Sequence, residues 1–200
     1  MKRVMLMSSV LLLASACTRE DGSQVTQPKE PDYESPALAQ KAEPDGPPHD
    51  ASVRLAPTQG NQVTGSLVLT GAPDGVHITG AIQGLKPDSE FGFHIHEKGD
   101  CSAPDGSSAG AHFNPTQQQH GHPESESHHA GDMINLRSDS SGVAQVDTTA
   151  RGATINTGEP TDVIGKAVIV HEGPDDYTSQ PSGNSGSRVA CGVIAAAQRP

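Results

Sequence analysis

The sequence predicts an all-β domain of eight short antiparallel strands, arranged as a closed barrel or a two-sheet sandwich. Three observations indicate this class. Aromatic residues make up only 2% of the 200-residue chain and Trp is absent, whereas 22 Gly and 16 Pro supply turns. From Ala51 onward, short runs of alternating apolar and polar residues are separated by turn residues. No stretch of the chain favours a helical protein.

The predicted strands follow one another with short connections at the start of the domain. Alternation places Val63, Leu67 and Leu69 on one face of the second strand. After that strand, Pro73 presets one backbone dihedral and Gly75 accepts a positive one, which predicts a tight turn. The eight predicted strands cover residues 51–57, 62–70, 75–84, 90–97, 133–137, 143–149, 165–171 and 188–197.

The fourth predicted strand contains the first candidate metal ligands. Side chains alternate across a strand, so Phe91, Phe93 and Ile95 point to the core while His94 and His96 point the other way. Two imidazoles about 7 Å apart along a strand can reach one metal ion. Imidazole is a ligand for copper, zinc, nickel and iron.

Two long gaps separate the later strands, at residues 98–132 and 172–187. Loops of this length in compact domains are commonly functional. The first gap holds His112, His120, His129 and Asp132, and Arg188 follows the second. We therefore expect both loops to build a functional site.

The N-terminus predicts export. A basic start followed by a short apolar run is typical of a signal peptide, which we place at residues 1–16. Small residues directly before Cys17 favour lipidation of that cysteine, and ordinary secretory cleavage with a free thiol is the alternative. Residues 17–50 are rich in Pro and acids and predict a disordered linker. Residues 51–200 form the domain.

Six motifs in this domain carry a resemblance to a known family. They are GFHIHEKGD (92–100), GAHFNP (110–115), HGHP (120–123), HAGD (129–132), VHE (170–172) and GNSGSRVACG (183–192). In this order they closely resemble the copper/zinc superoxide dismutases over residues 51–198. The resemblance implies a Greek-key barrel whose two long loops hold copper and zinc.

The resemblance also implies a role for each site residue. Copper is held by His94, His96, His112 and His171, and zinc by His112, His120, His129 and Asp132. His112 bridges the two ions and takes part in catalysis, in which superoxide becomes dioxygen and hydrogen peroxide. The residue types agree with this division, because three imidazoles and one carboxylate suit a structural zinc and four imidazoles suit Cu(II).

The resemblance assigns the supporting residues too. Arg188 holds the superoxide anion beside copper. Asp175 accepts hydrogen bonds from His94 and His120 and so ties the two ligand sets together. Cys101 and Cys191 form a disulfide that pins the first loop to the last strand. The second loop lacks the charged residues that guide substrate in eukaryotic members.

Charge limits the partners. Without Lys2 and Arg3 the mature chain has 11 basic and 24 acidic residues, a net charge of −13, which argues against nucleic acid. The membrane is then reached only through the lipid anchor, and we expect the protein in the periplasm or cell envelope, where it protects against superoxide.

An exported copper and zinc carrier, with His122 and His128 enlarging its capacity, is the alternative. Monomer and homodimer both stay open.

Overall fold

The structure is a computed structural model that describes residues 50–197. The predicted signal peptide, Cys17 and residues 17–49 of the predicted linker lie outside the described residues. Asp50 contacts the domain, since its backbone N–H donates to the Leu69 carbonyl over 2.8 Å. Within 50–197, no helix combines the length and the hydropathy needed to span a bilayer.

Ten strands and one short 3₁₀ helix, η1 (Ser107–Ala109), make up the regular structure of residues 50–197. The strands are β1 (Ala51–Pro57), β2 (Thr64–Ala72), β3 (Gly75–Gln83), β4 (Glu90–Phe91), β5 (Phe93–His96), β6 (Leu136–Arg137), β7 (Ala144–Arg151), β8 (Ala167–His171), β9 (Arg188–Val193) and β10 (Ala195–Ala196).

Each of the eight predicted runs contains a strand, and two runs are divided. The fourth run breaks at Gly92, because its N–H donates to Gly173 and its carbonyl accepts from His171 while β4 pairs with β6. The last run breaks at Ile194, whose N–H donates to Lys166. In both places the backbone changes its hydrogen-bonding partner, which hydrophobic alternation does not reveal.

The strands form one curled antiparallel sheet with a small companion sheet. The main order is β5-β8-β9-β1-β2-β3-β7, with β10 beside β1, and β4 pairs with β6. The first three strands form a meander, whereas β3 pairs with β7, β5 with β8 and β9 with β1. These crossovers are those of a Greek-key arrangement. The predicted all-β class is confirmed.

The core lies on the predicted faces. Leu67 and Leu69 of β2 and Phe93 and Ile95 of β5 are almost fully buried in one apolar cluster. Burying a side chain of this size contributes about 1.5–3 kcal/mol. The predicted turn is present, and Gly75 is required there because a Cβ would lie 2.1 Å from the Ala150 carbonyl oxygen.

Three long loops connect the later strands, one more than the two that sequence analysis singled out. The additional loop, 152–166, is organised by Asp162, whose carboxylate accepts from the backbone N–H groups of Asn156, Thr157, Gly158 and Ile164. The loop between β5 and β6 is tied to β9 by a disulfide between Cys101 and Cys191, with a Cα–Cα distance of 5.8 Å.

Candidate metal centre

The first long loop folds back along β5 and brings its ligands to the two histidines of that strand. The N–H of Ile95 donates to Gly131 over 2.9 Å, and its carbonyl accepts from Phe113 over 2.8 Å. Isolated bridges then pair His94 with Asp132 and His96 with His112. Backbone pairing therefore places residues 16 to 38 positions apart in sequence side by side.

The third histidine contributed by a strand lies at the end of β8. His94 and His96 face Ile169 and Ala167 of β8 in the register of the sheet. A β-bulge between Val170 and His171 shifts the pairing with β9, so that His171 lies opposite Arg188. Bulges re-aim side chains, and this one turns both residues towards the same pocket.

Two buried groups of four ligand atoms result. Within each group the ligand atoms lie within 4.8 Å of one another. One group has four imidazoles and the other has three imidazoles and one carboxylate. The members are His94, His96, His112 and His171 in the first, and His112, His120, His129 and Asp132 in the second.

Both donor sets fit metal ions, because each leaves buried ring nitrogens without a hydrogen-bond partner. Buried polar atoms are normally paired. Six are unpaired among the described residues, and all are histidine nitrogens of the two groups: Nδ1 of His94, His120 and His129, and Nε2 of His96, His112 and His171. Nδ1 of His120 and His129 lie 3.0 and 3.2 Å from Asp132 oxygens, yet without hydrogen-bond geometry.

In each ring, the hydrogen bond made by one nitrogen determines which nitrogen is left to bind a metal ion. His96 Nδ1 lies 2.9 Å from the Gly110 carbonyl oxygen, and His171 Nδ1 lies 3.1 Å from that of Gly186. A carbonyl only accepts, so both Nδ1 atoms must carry the proton. The lone pair at Nε2 is then available to a metal ion, as is usual for imidazole ligands.

Asp175 lies between the two groups and contacts one histidine of each. One carboxylate oxygen lies 2.7 Å from His94 Nε2 and the other lies 3.0 Å from His120 Nε2. All three side chains are fully buried. Gly183 lies directly against this carboxylate, because a Cβ there would be 1.8 Å from Asp175 Oδ1 and 2.7 Å from His120 Nε2.

His112 lies between the two groups. Its Nδ1 is 2.8 Å from Asp132 Oδ1, while its Nε2 is one of the unpaired nitrogens. Its ring centroid lies 4.0 Å from that of His94 and 5.3 Å from that of His120. The structure therefore places His112 where one ring can serve both groups.

Burial and neighbouring charges shift the pKa values of these histidines in different directions. Burial, aided by neighbouring imidazoles, lowers the pKa of His171 to about 3 and that of His112 to about 4, the latter despite a hydrogen bond to Asp132. The pKa of His96 is also well below its usual value because of burial. Although burial disfavours the charged ring of His120, Asp132 and Asp175 raise its pKa to about 9.

Arg188 lies in the wall of an open pocket of about 720 Å³, whose lining also includes His96, His112, His129 and His171. Its guanidinium donates to the Gly106 and Gly110 carbonyl oxygens, each over 2.6 Å. Arg188 and Glu97 are the lining residues with permanent charge, and the rim on the second loop is neutral. The Gly110 carbonyl thus anchors both Arg188 and His96.

Two predicted histidines lie outside the groups. His122 packs its ring against Tyr177, with centroids 4.6 Å apart, and His128 Nδ1 contacts the His129 carbonyl. Both are half-buried. Neither joins a third set of ligands within the described residues.

Two residues that support the ligands, Asn135 and Gln180, were not predicted from the sequence. The side-chain amide of Asn135 donates to the Asp175 carbonyl and accepts from the Asp175 N–H, each over 2.9 Å. Gln180 does the same for His120, accepting from its N–H and donating to its carbonyl. Their partners are 40 and 60 positions away, so no local spacing could have indicated these roles.

Comparisons with known proteins indicate the family of the chain. A sequence profile of the copper/zinc superoxide dismutase (SODC) family matches residues 63–194. The copper/zinc superoxide dismutase 2 of Aquifex aeolicus is 42% identical over 147 residues, which is 72% of this chain and 85% of that protein. The extracellular copper/zinc superoxide dismutase of Drosophila melanogaster is 41% identical over 151 residues, 70% of this chain and 81% of that protein.

A solved structure also matches. The crystal structure of a superoxide dismutase-like protein from Bacillus subtilis superimposes with a TM-score of 0.65 at 38% sequence identity. The match covers 71% of this chain and 96% of that one.

Proposed function

Because the chain belongs to the copper/zinc superoxide dismutase family, we propose that its two ligand groups hold one copper and one zinc ion and convert superoxide to dioxygen and hydrogen peroxide outside the cytoplasm. Two superoxide ions and two protons are consumed for each dioxygen and each peroxide. The copper ligands are His94, His96, His112 and His171. The zinc ligands are His112, His120, His129 and Asp132.

One observation carries this assignment. Of the six buried nitrogens without a partner, four belong to the imidazole set and two to the set with Asp132. Three of the four imidazole ligands line the pocket, whereas His120 and Asp132 of the other set do not. A closed four-ligand set that includes a carboxylate suits a structural zinc. A set of four imidazoles, three of them in the pocket wall, suits a redox-active copper that must meet substrate.

The chemistry of the two ions differs, since bound copper supplies one-electron transfer and bound zinc supplies fixed positive charge beside His112. The protein supplies the rest. Arg188 attracts and orients the anion through its guanidinium, which is held rigidly by two carbonyl groups. His112 lines the pocket, and its buried Nε2 has no hydrogen-bond partner, so this nitrogen can accept and return a proton.

Asp175 holds the rings of His94 and His120 in place, whereas Asp132 is itself a proposed zinc ligand. Each is buried, and hydrogen bonds from the surrounding histidines outweigh burial and hold the pKa of both carboxyl groups far below the usual range. Asp175 fixes the proton-bearing nitrogens of His94 and His120 and therefore the direction of their free nitrogens.

We propose the periplasm or cell envelope as the place of action. Support comes from the signal-peptide features of residues 1–16 and the small residues before Cys17, which favour a lipid anchor with residues 17–50 as tether and 51–200 as the catalytic domain. The disulfide between Cys101 and Cys191 also suits an oxidising compartment. The protein would there remove superoxide that reaches the envelope.

Metal analysis combined with pulse radiolysis tests the proposal. Purified protein should bind one copper and one zinc and consume superoxide catalytically. His112→Ala should lose most activity and bind zinc weakly, because one ring serves both ions. His77→Ala, which removes a partly exposed histidine paired with Asp147, is the matched control and should match the wild type.

A carrier without turnover is the competing function. It would bind both metals without catalysing the consumption of superoxide. A carrier has no use for a guanidinium beside the open copper ligands, so the position of Arg188 favours the enzyme.

A further inference from the structure

We infer that Tyr177 is a positioning residue for both metal ions, because its phenol and backbone lock the two long loops together behind Asp175. The inference rests on the metal ligands proposed above. None of the sequence motifs includes Tyr177.

The phenol oxygen forms the link between the loops. It accepts a hydrogen bond from the Asn135 backbone N–H over 2.7 Å. Asn135 in turn donates its side-chain amide to the Asp175 carbonyl and accepts from the Asp175 N–H, each over 2.9 Å. Tyr177, Asn135 and Asp175 therefore form a closed ring of contacts between the end of the first loop and the start of the second.

The backbone of Tyr177 holds the carboxylate itself. Its N–H donates over 2.6 Å to Asp175 Oδ1, the oxygen that also faces His120 Nε2. This contact is made with a φ of +59° at Tyr177. Positive φ is uncommon for a bulky residue and persists where surrounding contacts enforce it. The strained conformation thus places an N–H on the carboxylate that orients the zinc ligand.

The ring of Tyr177 contacts the segment that carries the zinc ligand His120. It packs against His122 at 4.6 Å between centroids with an interplanar angle of 66°. His122 is two residues from His120, so the aromatic contact restrains the segment that carries a zinc ligand. This explains a histidine that belongs to neither ligand group.

Removal of the phenol oxygen should loosen this arrangement without unfolding the barrel. Tyr177→Phe keeps the ring on His122 but leaves the partly buried N–H of Asn135 without an acceptor. Movement of Asn135 would release the backbone of Asp175 and then its carboxylate. Zinc should respond most, because outer partners of metal ligands affect affinity about 10- to 100-fold and Tyr177 lies one contact further out.

The test measures zinc release from the holoprotein into a chromogenic chelator, together with the visible band of bound Cu(II). We expect Tyr177→Phe to release zinc about three- to tenfold faster than wild type and to shift the copper band, as His94 tilts. Ser138→Ala is the matched control. Its buried hydroxyl likewise accepts a backbone N–H, from Ser89, but it follows β6 whereas Asn135 precedes it, and its hydrogen bonds go to Ser89 and Lys86 rather than to Asp175 or Tyr177.

A double-mutant cycle separates positioning from general stability. If Tyr177 acts through Asp175, Tyr177→Phe should accelerate zinc release little further in an Asp175→Asn background. Equal zinc release by Tyr177→Phe and wild type would overturn the inference, as would equal acceleration by Ser138→Ala. Should Tyr177→Phe fail to fold, Asn135→Ala must show the accelerated release, and a wild-type rate there would also overturn it.

Failure of the proposed function is distinguishable from failure of this inference. Wild-type protein that retains no zinc would contradict the proposed ligand set. Wild-type protein that retains zinc, with a Tyr177→Phe variant that releases it no faster, would contradict only the role of Tyr177.

Discussion

Arg188 lies directly opposite His171 across β8 and β9, and the β-bulge after Val170 sets this register. Without the shift, continued pairing of Val170 with Ala190 would place Val189 opposite His171. The bulge therefore brings a guanidinium, rather than an apolar side chain, beside a proposed copper ligand. Carbonyl groups of Gly106 and Gly110 then hold that guanidinium in the pocket wall.

Arg188→Glu should slow superoxide consumption at least about tenfold at low salt while copper and zinc contents stay at wild-type levels. A unit charge about 5 Å from the anion is worth about 3 kcal/mol at an effective dielectric of 20, and partial exposure of the side chain reduces this. Raised ionic strength should accelerate the variant, because salt screens the new repulsion. Pulse radiolysis on metal-replete protein measures both effects.

Arg54→Glu is the control for net charge, since Arg54 is exposed on β1 and does not line the pocket that contains Arg188. It changes the charge of the chain equally and should keep nearly the wild-type rate. An Arg188→Glu rate equal to that of Arg54→Glu would remove Arg188 from the mechanism.

Gly183→Ala should abolish tight zinc binding and most activity. A Cβ at this position would overlap Asp175 Oδ1 at 1.8 Å, so the carboxylate must leave His120. Gly158→Ala is a close control, because Gly158 also has a positive φ, +72° against +67°, but nothing lies within 4 Å of its Cβ position. The two variants should lose similar stability from backbone strain, and only Gly183→Ala should lose metal. Metal analysis after dialysis distinguishes them, and equal zinc retention would contradict the prediction.

Metal-free protein should lose stability steeply as the pH falls from about 6.5 to 4. Burial lowers the folded-state pKa of His96, His112 and His171, to about 4 for His112 and about 3 for His171. The unfolded chain therefore binds up to three more protons near pH 5, a slope of up to about 4 kcal/mol per pH unit. His120 acts in the other direction: its pKa is raised to about 9, so its contribution is complete below pH 6.5 and is lost as the pH rises through 9.

Thermal unfolding of chelator-treated protein across pH 4 to 10 measures this dependence. His171→Asn should reduce the acid slope by about one proton. An unfolding temperature of the metal-free wild type that is constant from pH 6.5 to 4 would contradict the predicted burial of neutral rings.

Cys17→Ser, made in the full-length chain, should abolish partitioning into the detergent phase and leave superoxide consumption intact. Cys17 precedes the domain by more than 30 residues, and the domain's own disulfide uses Cys101 and Cys191. Phase separation with Triton X-114 measures the partitioning. Equal partitioning of wild type and variant would favour a freely secreted protein.

The sequence by itself determined the strand class, the core faces and the identity of the candidate ligands. Alternation alone was sufficient for Phe93 and Ile95, since burial of one strand face requires a period of two. The family resemblance assigned the roles of His94, His96, His112, His171, His120, His129, Asp132, Asp175 and Arg188, and short local motifs contain all of these residues except Asp175. The same resemblance implied the disulfide between Cys101 and Cys191, whereas the two long loops were predicted from the gaps between strands.

Only the tertiary structure decided how these residues meet. Pairing of the first loop with β5, the bulge that turns Arg188 towards His171, and the clamp of Asn135 and Tyr177 on Asp175 all join residues far apart in sequence. Such contacts depend on register and on backbone hydrogen bonds, which carry no residue-specific signal. The free nitrogen of each histidine is likewise set by the acceptor on its other nitrogen, and that acceptor is brought there only by the fold.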